Sequence, residues 1–256
     1  MKLSVVIPAH NEEHRLPPML EAYSAFFAEK YGDDVELIVV PNFCDDRTVE
    51  VARAIGERFS VIKVLDDPGY VGKGGAVILG AQAASGELVG FVDADGATPP
   101  QAFDDLVEKI GDAGCIIASR WMKKSKVSPK QPMSRRVASR CFNLLVRVMF
   151  GIRVTDTQCG AKLFQRYVLT PVVENMGVTN WAFDVDMLFQ VKRSKGIIRE
   201  IPTEWHDQAG SKIRVVSASR NMLVAMVRLR MFYSPLRFLI PKLSPIVARI
   251  VPYGKR

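Results

Sequence analysis

Two hydrophobic patterns alternate through the first 120 residues, and that alternation limits the fold more than any other feature of the chain. Short runs rich in Val and Ile fall at residues 3–8, 35–40, 61–65, 88–92 and 115–118, most of them flanked by Gly, Pro, Asp or Asn. Between them lie helical stretches at about 12–30, 46–58, 73–85 and 99–111. Short apolar runs with turn residues at their ends predict strands, and strands separated by helices predict βαβ units in a mostly parallel sheet. The expected class is α/β. In such sheets ligands bind beyond the carboxyl ends of the strands. The unusual polar residues fall there: Pro8 to Glu12, Asn42 to Asp46, Asp66 to Lys73, and Asp93-Ala94-Asp95.

The second half follows a different pattern. Met133, Val137, Cys141, Leu144, Leu145 and Val148 form an apolar stripe at helical spacing, with Arg136, Arg140, Asn143 and Arg147 beside it. A further apolar helix studded with arginines is predicted over 217–232, and four prolines then divide the tail. The net charge of +8 is unevenly placed. Residues 120–153 and 208–256 each hold ten Lys/Arg and no acid, which leaves an acidic body. Basic amphipathic segments of this kind fit an anionic membrane interface. No aromatic platform or reading motif accompanies them, so nucleic acid is excluded as the partner. The four cysteines are far apart with no CxxC pair, which argues against a disulfide scaffold or zinc ribbon. No run approaches the roughly 20 apolar residues of a membrane span, and the N-terminal run is too short for a signal peptide. The expected location is the cytoplasmic face of a membrane, held peripherally.

Asp93 and Asp95 end an apolar strand. Two hard carboxylates at i and i+2 suit Mg²⁺ or Mn²⁺ shared with substrate phosphates. The segment 66–76, with Gly72, Lys73, Gly74 and Gly75, opens the next-door helix and allows close approach to a diphosphate. Its spacing is that of neither a P-loop nor a Rossmann fingerprint.

The ordered segments VVIPAHNEE, GKGGA, FVDADGATPP, ASR, DTQCGAKLF, FDVD and WHDQAGSKI resemble inverting family 2 glycosyltransferases of the GT-A fold, over about residues 1–215. Within that family they most resemble the dolichyl-phosphate sugar synthases, the β-glucosyl branch above all. The resemblance implies a catalytic domain over 1–215, with 120–153 facing acceptor and membrane, and a basic interfacial tail over 216–256. It implies that Pro8, Ala9, Asn11, Glu12, Asn42 and Lys73 surround the donor nucleotide. Asp93 and Asp95 would hold the metal and diphosphate, and Arg120 a donor or acceptor phosphate. Arg135 and Arg136 would face the acceptor head group, with Leu144, Val148 and Phe150 meeting lipid. Gln158, Cys159 and Gly160 would form the loop over the sugar. Asp184 and Asp186 fall near the family's acidic motif, and Trp205, His206, Ser211 and Lys212 would close the site.

The implied reaction moves a hexose from a nucleoside-diphosphate sugar, UDP-glucose favoured, to a polyprenyl (dolichyl) phosphate with inversion. A GDP-mannose-dependent enzyme, a transferase with a soluble or polysaccharide acceptor, and a non-catalytic nucleotide-sugar sensor are the alternatives. Two departures bear on the choice. Pro41 and Asn42 stand where the family often carries acids that contact the base, and Ala97 stands where the mannosyl branch often has a further polar ligand.

Overall fold

The computed structural model describes residues 2–66, 69–176, 182–207, 215–235 and 238, the side chains of 215–220 excepted. The N-terminal part alternates strand and helix as its pattern predicts. It runs β1 (Leu3–Ala9), α1 (Leu16–Tyr31), β2 (Val35–Pro41), α2 (Thr48–Gly56), β3 (Ile62–Val64), α3 (Gly72–Ala83), β4 (Leu88–Phe91), α4 (Pro100–Lys109) and β5 (Cys115–Ser119). The remainder holds β6 (Lys126–Ser128), α5 (Met133–Phe150), β7 (Lys162–Gln165), α6 (Arg166–Asn175), α7 (Phe183–Arg193), β8 (Ile198–Pro202), β9 (Glu204–His206) and α8 (Val215–Phe232).

Seven strands form one sheet in the order β3-β2-β1-β4-β7-β5-β8. All neighbours are parallel except β7, which runs antiparallel to both β4 and β5. Side chains alternate across the pleat, so Leu3, Val5 and Ile7 of β1 enter one core and Val6 enters the other. The first core lies under α1, α2 and α4, where Leu16, Leu20, Phe27 and Phe103 are fully buried. The second lies under α3 and α5 to α8. A small parallel ribbon of β6 and β9 stands apart from the main sheet.

The reversal of β7 matters most for the site. Because β7 is antiparallel, its first residue, Lys162, pairs with Phe91 at the carboxyl end of β4. The loop before β7 is thereby delivered to the same sheet edge as Asp93.

Helix α5 carries its amphipathic pattern the other way round from an ordinary core helix. Phe142, Asn143, Val146 and Phe150 are buried, while Met133, Val137, Cys141, Leu144, Leu145 and Val148 are exposed, Leu144 by 60% and Val148 by 75%. Phe150 is therefore no lipid-facing residue: it packs edge-to-face on Phe189 at 5.2 Å in the second core. Helix α8 packs against α5. Met226 and Leu229 are fully buried and Leu223 and Val227 exposed. Met222, Ala225, Met226, Leu229 and Tyr233 pack on the second core, so one face of α8 completes it; the expected tail beyond Tyr233, apart from Ser234, Pro235 and Phe238, lies outside the described residues. No helix among the described residues is long and apolar enough to cross a membrane.

Candidate active site

Strand β1 stops where Asn11 takes a left-handed φ of 54°, a conformation Asn tolerates better than most residues. Its Oδ1 accepts a hydrogen bond from Asp45 N at 2.8 Å, so the side chain fixes a turn outside the cleft lining. Glu12 faces the cleft and receives two 2.6 Å bonds from Arg15. Burial is the main reason its carboxyl lies above the usual range, with the nearby charges of Asp95 and Asp93 adding to it. At the end of β2, Asn42 ties two loops together. Its carbonyl oxygen meets His10 Nδ1 at 2.7 Å, and its Oδ1 accepts from Val71 N at 3.0 Å. The second bond draws the start of α3 over the sheet edge. Gly72 follows with φ 70°, a left-handed entry that suits glycine, and Lys73 in the first turn points at β4.

Asp93 and Asp95 follow β4. Lys73 Nζ pairs directly with Asp93 Oδ1. Asp95 Oδ1 accepts from Ala97 N at 2.9 Å. Burial, then the charge of Asp93, raises the Asp95 carboxyl above its ordinary value. Burial alone would weaken the Lys73 ammonium, but the carboxylates of Asp93 and Asp184 outweigh it and keep the proton on. Pro8, Ala9, Glu12, Asn42, Lys73, Asp93 and Asp95, all expected around the donor, line one cleft of about 230 Å³, together with His10. His10 falls in the polar stretch Pro8 to Glu12 expected at the sheet edge, and the family resemblance assigns it no role.

The remaining expected residues divide. Arg120 does not line this cleft and is locked to Asp156 by two side-chain bonds of 2.8 and 2.9 Å, with Trp205 under its guanidinium at 5.2 Å. Asp156 is fully buried. Burial pushes its carboxyl up, but the Arg120 charge and hydrogen bonds prevail and hold it below the usual range. Its loop is ordered by Glu200 of β8, which accepts from Thr155 N, Thr155 Oγ1 and Asp156 N. Arg135 lies 4.0 Å from Asp207, and Arg136 is exposed. His206 is exposed beside Glu204, while its backbone N donates to Ala97 O at 2.7 Å and ties β9 to the turn after Asp95.

The 158–160 turn does lie at the cleft. A Cβ on Gly160 would fall inside contact distance of the Asp93 carboxylate, so backbone packs directly on that side chain. Gln158 Nε2 reaches Met222 Sδ of α8 at 3.5 Å. The Cys159 thiol is fully buried and pushed up to about 12, first by burial and then by Asp156, which leaves it protonated and without nucleophilic character. Thr157, before this turn, is held by Asn143 of α5, whose Oδ1 accepts from its N and Oγ1 at 2.9 Å each. Asp184 pairs with buried Lys162 at 2.6 Å. Asp186 faces the back of α7, where Tyr233 Oη donates to it at 2.7 Å; total burial removes it from any substrate. Ser211 and Lys212 lie outside the described residues. Asp156, Lys162, Asn143 and Glu200 were missed. Asp156 and Lys162 both stand inside the segment DTQCGAKLF, and a lysine between Ala161 and Leu163 in a strand was a further signal for Lys162.

A mostly parallel sheet with one reversed strand, and paired carboxylates with a lysine at its carboxyl edge, define a GT-A glycosyltransferase working on a nucleotide sugar. The chain belongs to glycosyl transferase family 2, whose model matches residues 4–172. It is 34% identical over 242 residues to a dolichyl-phosphate beta-glucosyltransferase of Trichomonas vaginalis, covering 90% of this chain and 73% of that protein. The Saccharomyces cerevisiae dolichyl-phosphate beta-glucosyltransferase is 33% identical over 253 residues, covering 90% and 75%. Among solved structures, glucosyl-3-phosphoglycerate synthase from Mycobacterium tuberculosis, in complex with UDP, superposes with a TM-score of 0.67 at 19% identity, covering 91% of this chain and 82% of that one. The same enzyme in complex with Mn²⁺, UDP and glucosyl-3-phosphoglycerate gives 0.66 at 20% identity, covering 90% and 79%.

Proposed function

We propose that this protein transfers glucose from UDP-glucose to a dolichyl or related polyprenyl phosphate at a membrane surface, inverting the anomeric centre. The observation that carries the reading is the convergence of Lys73, Asp93 and Asp95 on one cleft, in a chain matched over 90% of its length by dolichyl-phosphate beta-glucosyltransferases. Lys73, in the cleft lining, supplies fixed positive charge beside the leaving diphosphate. The acceptor phosphate is already anionic at neutral pH and needs no proton removed. This agrees with the absence of a free carboxylate in Asp184 and Asp186, both already bonded.

The residues present fit a divalent cation. Glu12, Asp93 and Asp95 bring three carboxylates to one cleft, with Lys73 paired to Asp93 and Arg15 to Glu12. Among the described residues no group of three His, Cys, Asp or Glu side chains is gathered to hold a metal alone. Asp95, with Asp93, would therefore share Mg²⁺ or Mn²⁺ with diphosphate oxygens and water. When bound, such an ion neutralises charge developing on the leaving nucleotide.

The outward faces of α5 and α8 fit the membrane part of the reading. Exposed Leu144 and Val148 share α5 with exposed Arg136, Arg140 and Arg147, and Leu223 and Val227 are exposed on α8, the composition of an interfacial surface. The test is a donor screen with phosphorylated polyprenol. Release of UDP from UDP-glucose with formation of glucosyl-lipid is expected. Release of GDP from GDP-mannose, or transfer only to a soluble acceptor, overturns the reading.

A further inference from the structure

We propose that Lys162 is a positioning residue for this transfer, holding Asp93 in place through the 158–160 turn, and that Asp184 serves as its counter-ion rather than acting on substrate. The inference rests on the reading of Asp93 as a donor-diphosphate residue.

Lys162 is wholly buried. Its Nζ donates to Asp184 Oδ1 at 2.6 Å and to the Cys159 carbonyl at 2.7 Å, and it lies 5.2 Å from the centroid of the Phe91 ring. Burying an ammonium and a carboxylate carries a large desolvation penalty, and apolar replacements of such pairs are often neutral or stabilising. Fold stability alone therefore gives little reason for the pair. Its geometry gives a better one. The carbonyl that Lys162 holds belongs to the residue before Gly160, and Gly160 is the backbone that abuts the Asp93 carboxylate. Any relaxation of that carbonyl changes where Asp93 sits.

A second route reaches the same carboxylate. Asp184, paired with Lys162, follows Phe183 in the first turn of α7. Lys73 in turn pairs with Asp93 and lies 5.6 Å from the ring of Phe183, the neighbour of Asp184. The buried Lys162–Asp184 pair and the Lys73–Asp93 pair thus approach each other at Phe183. Neither Lys162 nor Asp184 lines the donor cleft, so both act through groups that do.

The test compares Lys162→Met, Lys162→Arg, Asp184→Asn and the double variant Lys162→Met/Asp184→Asn. Three quantities are read: thermal midpoint, affinity for UDP with Mn²⁺ by calorimetry, and kcat with UDP-glucose and polyprenyl phosphate. Lys162→Met is expected to weaken UDP–Mn²⁺ binding and lower kcat, each roughly ten-fold, and Lys162→Arg to recover part of both. Adding Asp184→Asn to Lys162→Met should change neither by more than about two-fold, because a coupled pair is non-additive. If Lys162→Met does not fold, the double variant, which leaves no unpaired buried charge, takes its place against Asp184→Asn.

Two results overturn the proposal. One is an equal loss of kcat from Asp184→Asn in both backgrounds, with the acid limb of the pH–rate profile abolished; Asp184 would then act on substrate. The other is wild-type UDP–Mn²⁺ affinity and kcat in every variant, with only the thermal midpoint moved; the pair would then be structural. Should the wild-type protein transfer nothing to polyprenyl phosphate, the functional reading fails by itself, and UDP–Mn²⁺ binding still decides the role of Lys162.

Discussion

Replacing Gly160 with alanine should inactivate the enzyme without unfolding it. The glycine is not in the left-handed region, so alanine can adopt its backbone. The obstacle is space: an added Cβ would lie 2.1 Å from Asp93 Oδ2, where real Cβ atoms essentially never come within 3.0 Å. The carboxylate or the turn must move by about 1 Å. A misplacement of about 1 Å at a reacting centre lowers turnover by roughly 10²-fold, equivalent to about 2.7 kcal/mol of transition-state stabilisation. Asp93 borders an open cleft and its side chain is 34% exposed, so it can swing aside at little expense to the fold. The assay is kcat/KM for UDP-glucose with a polyprenyl phosphate, alongside the thermal midpoint. A Gly160→Ala enzyme within about three-fold of wild type would refute the close packing of the turn on Asp93. A collapse of the thermal midpoint would refute the claim that the cleft absorbs the clash.

Asp156→Asn leaves the half-buried Arg120 guanidinium without its fully buried counter-charge and should destabilise the protein by about 3 kcal/mol, measured by denaturant unfolding at pH 7. The pH dependence has a fixed sign: Asp156 is depressed in the folded state, so its contribution is present above the unfolded carboxyl value, about 3.9, and lost as pH falls through the folded one. Wild type should lose stability over that acid window, and the variant should lose less. Asp95→Ala should retain its fold, while turnover falls by about 10²-fold or more and the response to added Mn²⁺ disappears; full wild-type activity in excess chelator would contradict the metal assignment. Phe43 and Tyr70 are exposed aromatic rings 6.0 Å apart beside Asn42 and Val71. If they stack on the nucleobase, Phe43→Ala should raise the donor KM by roughly five-fold, about 1 kcal/mol, with kcat unchanged. Leu144→Asp with Val148→Asp, both at exposed positions, should abolish sedimentation with anionic vesicles and leave the thermal midpoint within about 2 °C.

The sequence by itself determined the five N-terminal strands and their helices, because Val/Ile runs bounded by turn residues leave few other structures. It also placed Pro8, Asn42, Lys73, Asp93 and Asp95 at strand ends or helix starts, where a parallel sheet gathers them whatever the details of packing. It marked α5 as amphipathic, since a stripe at helical spacing is a local property. What covers that stripe is not local. Only the tertiary structure shows that Val146 and Phe150 fill the core, while Leu144 and Val148 face outward. Only the tertiary structure reverses β7, and with it brings Lys162 and Gly160 to Asp93. The fates of Arg120, Asp184 and Asp186 were likewise set at long range, by Asp156, Lys162 and Tyr233, which lie 36, 22 and 47 residues away along the chain. A charge's partner is chosen by which strands become neighbours, and strand order in a sheet is a property of the whole fold, not of any segment within it.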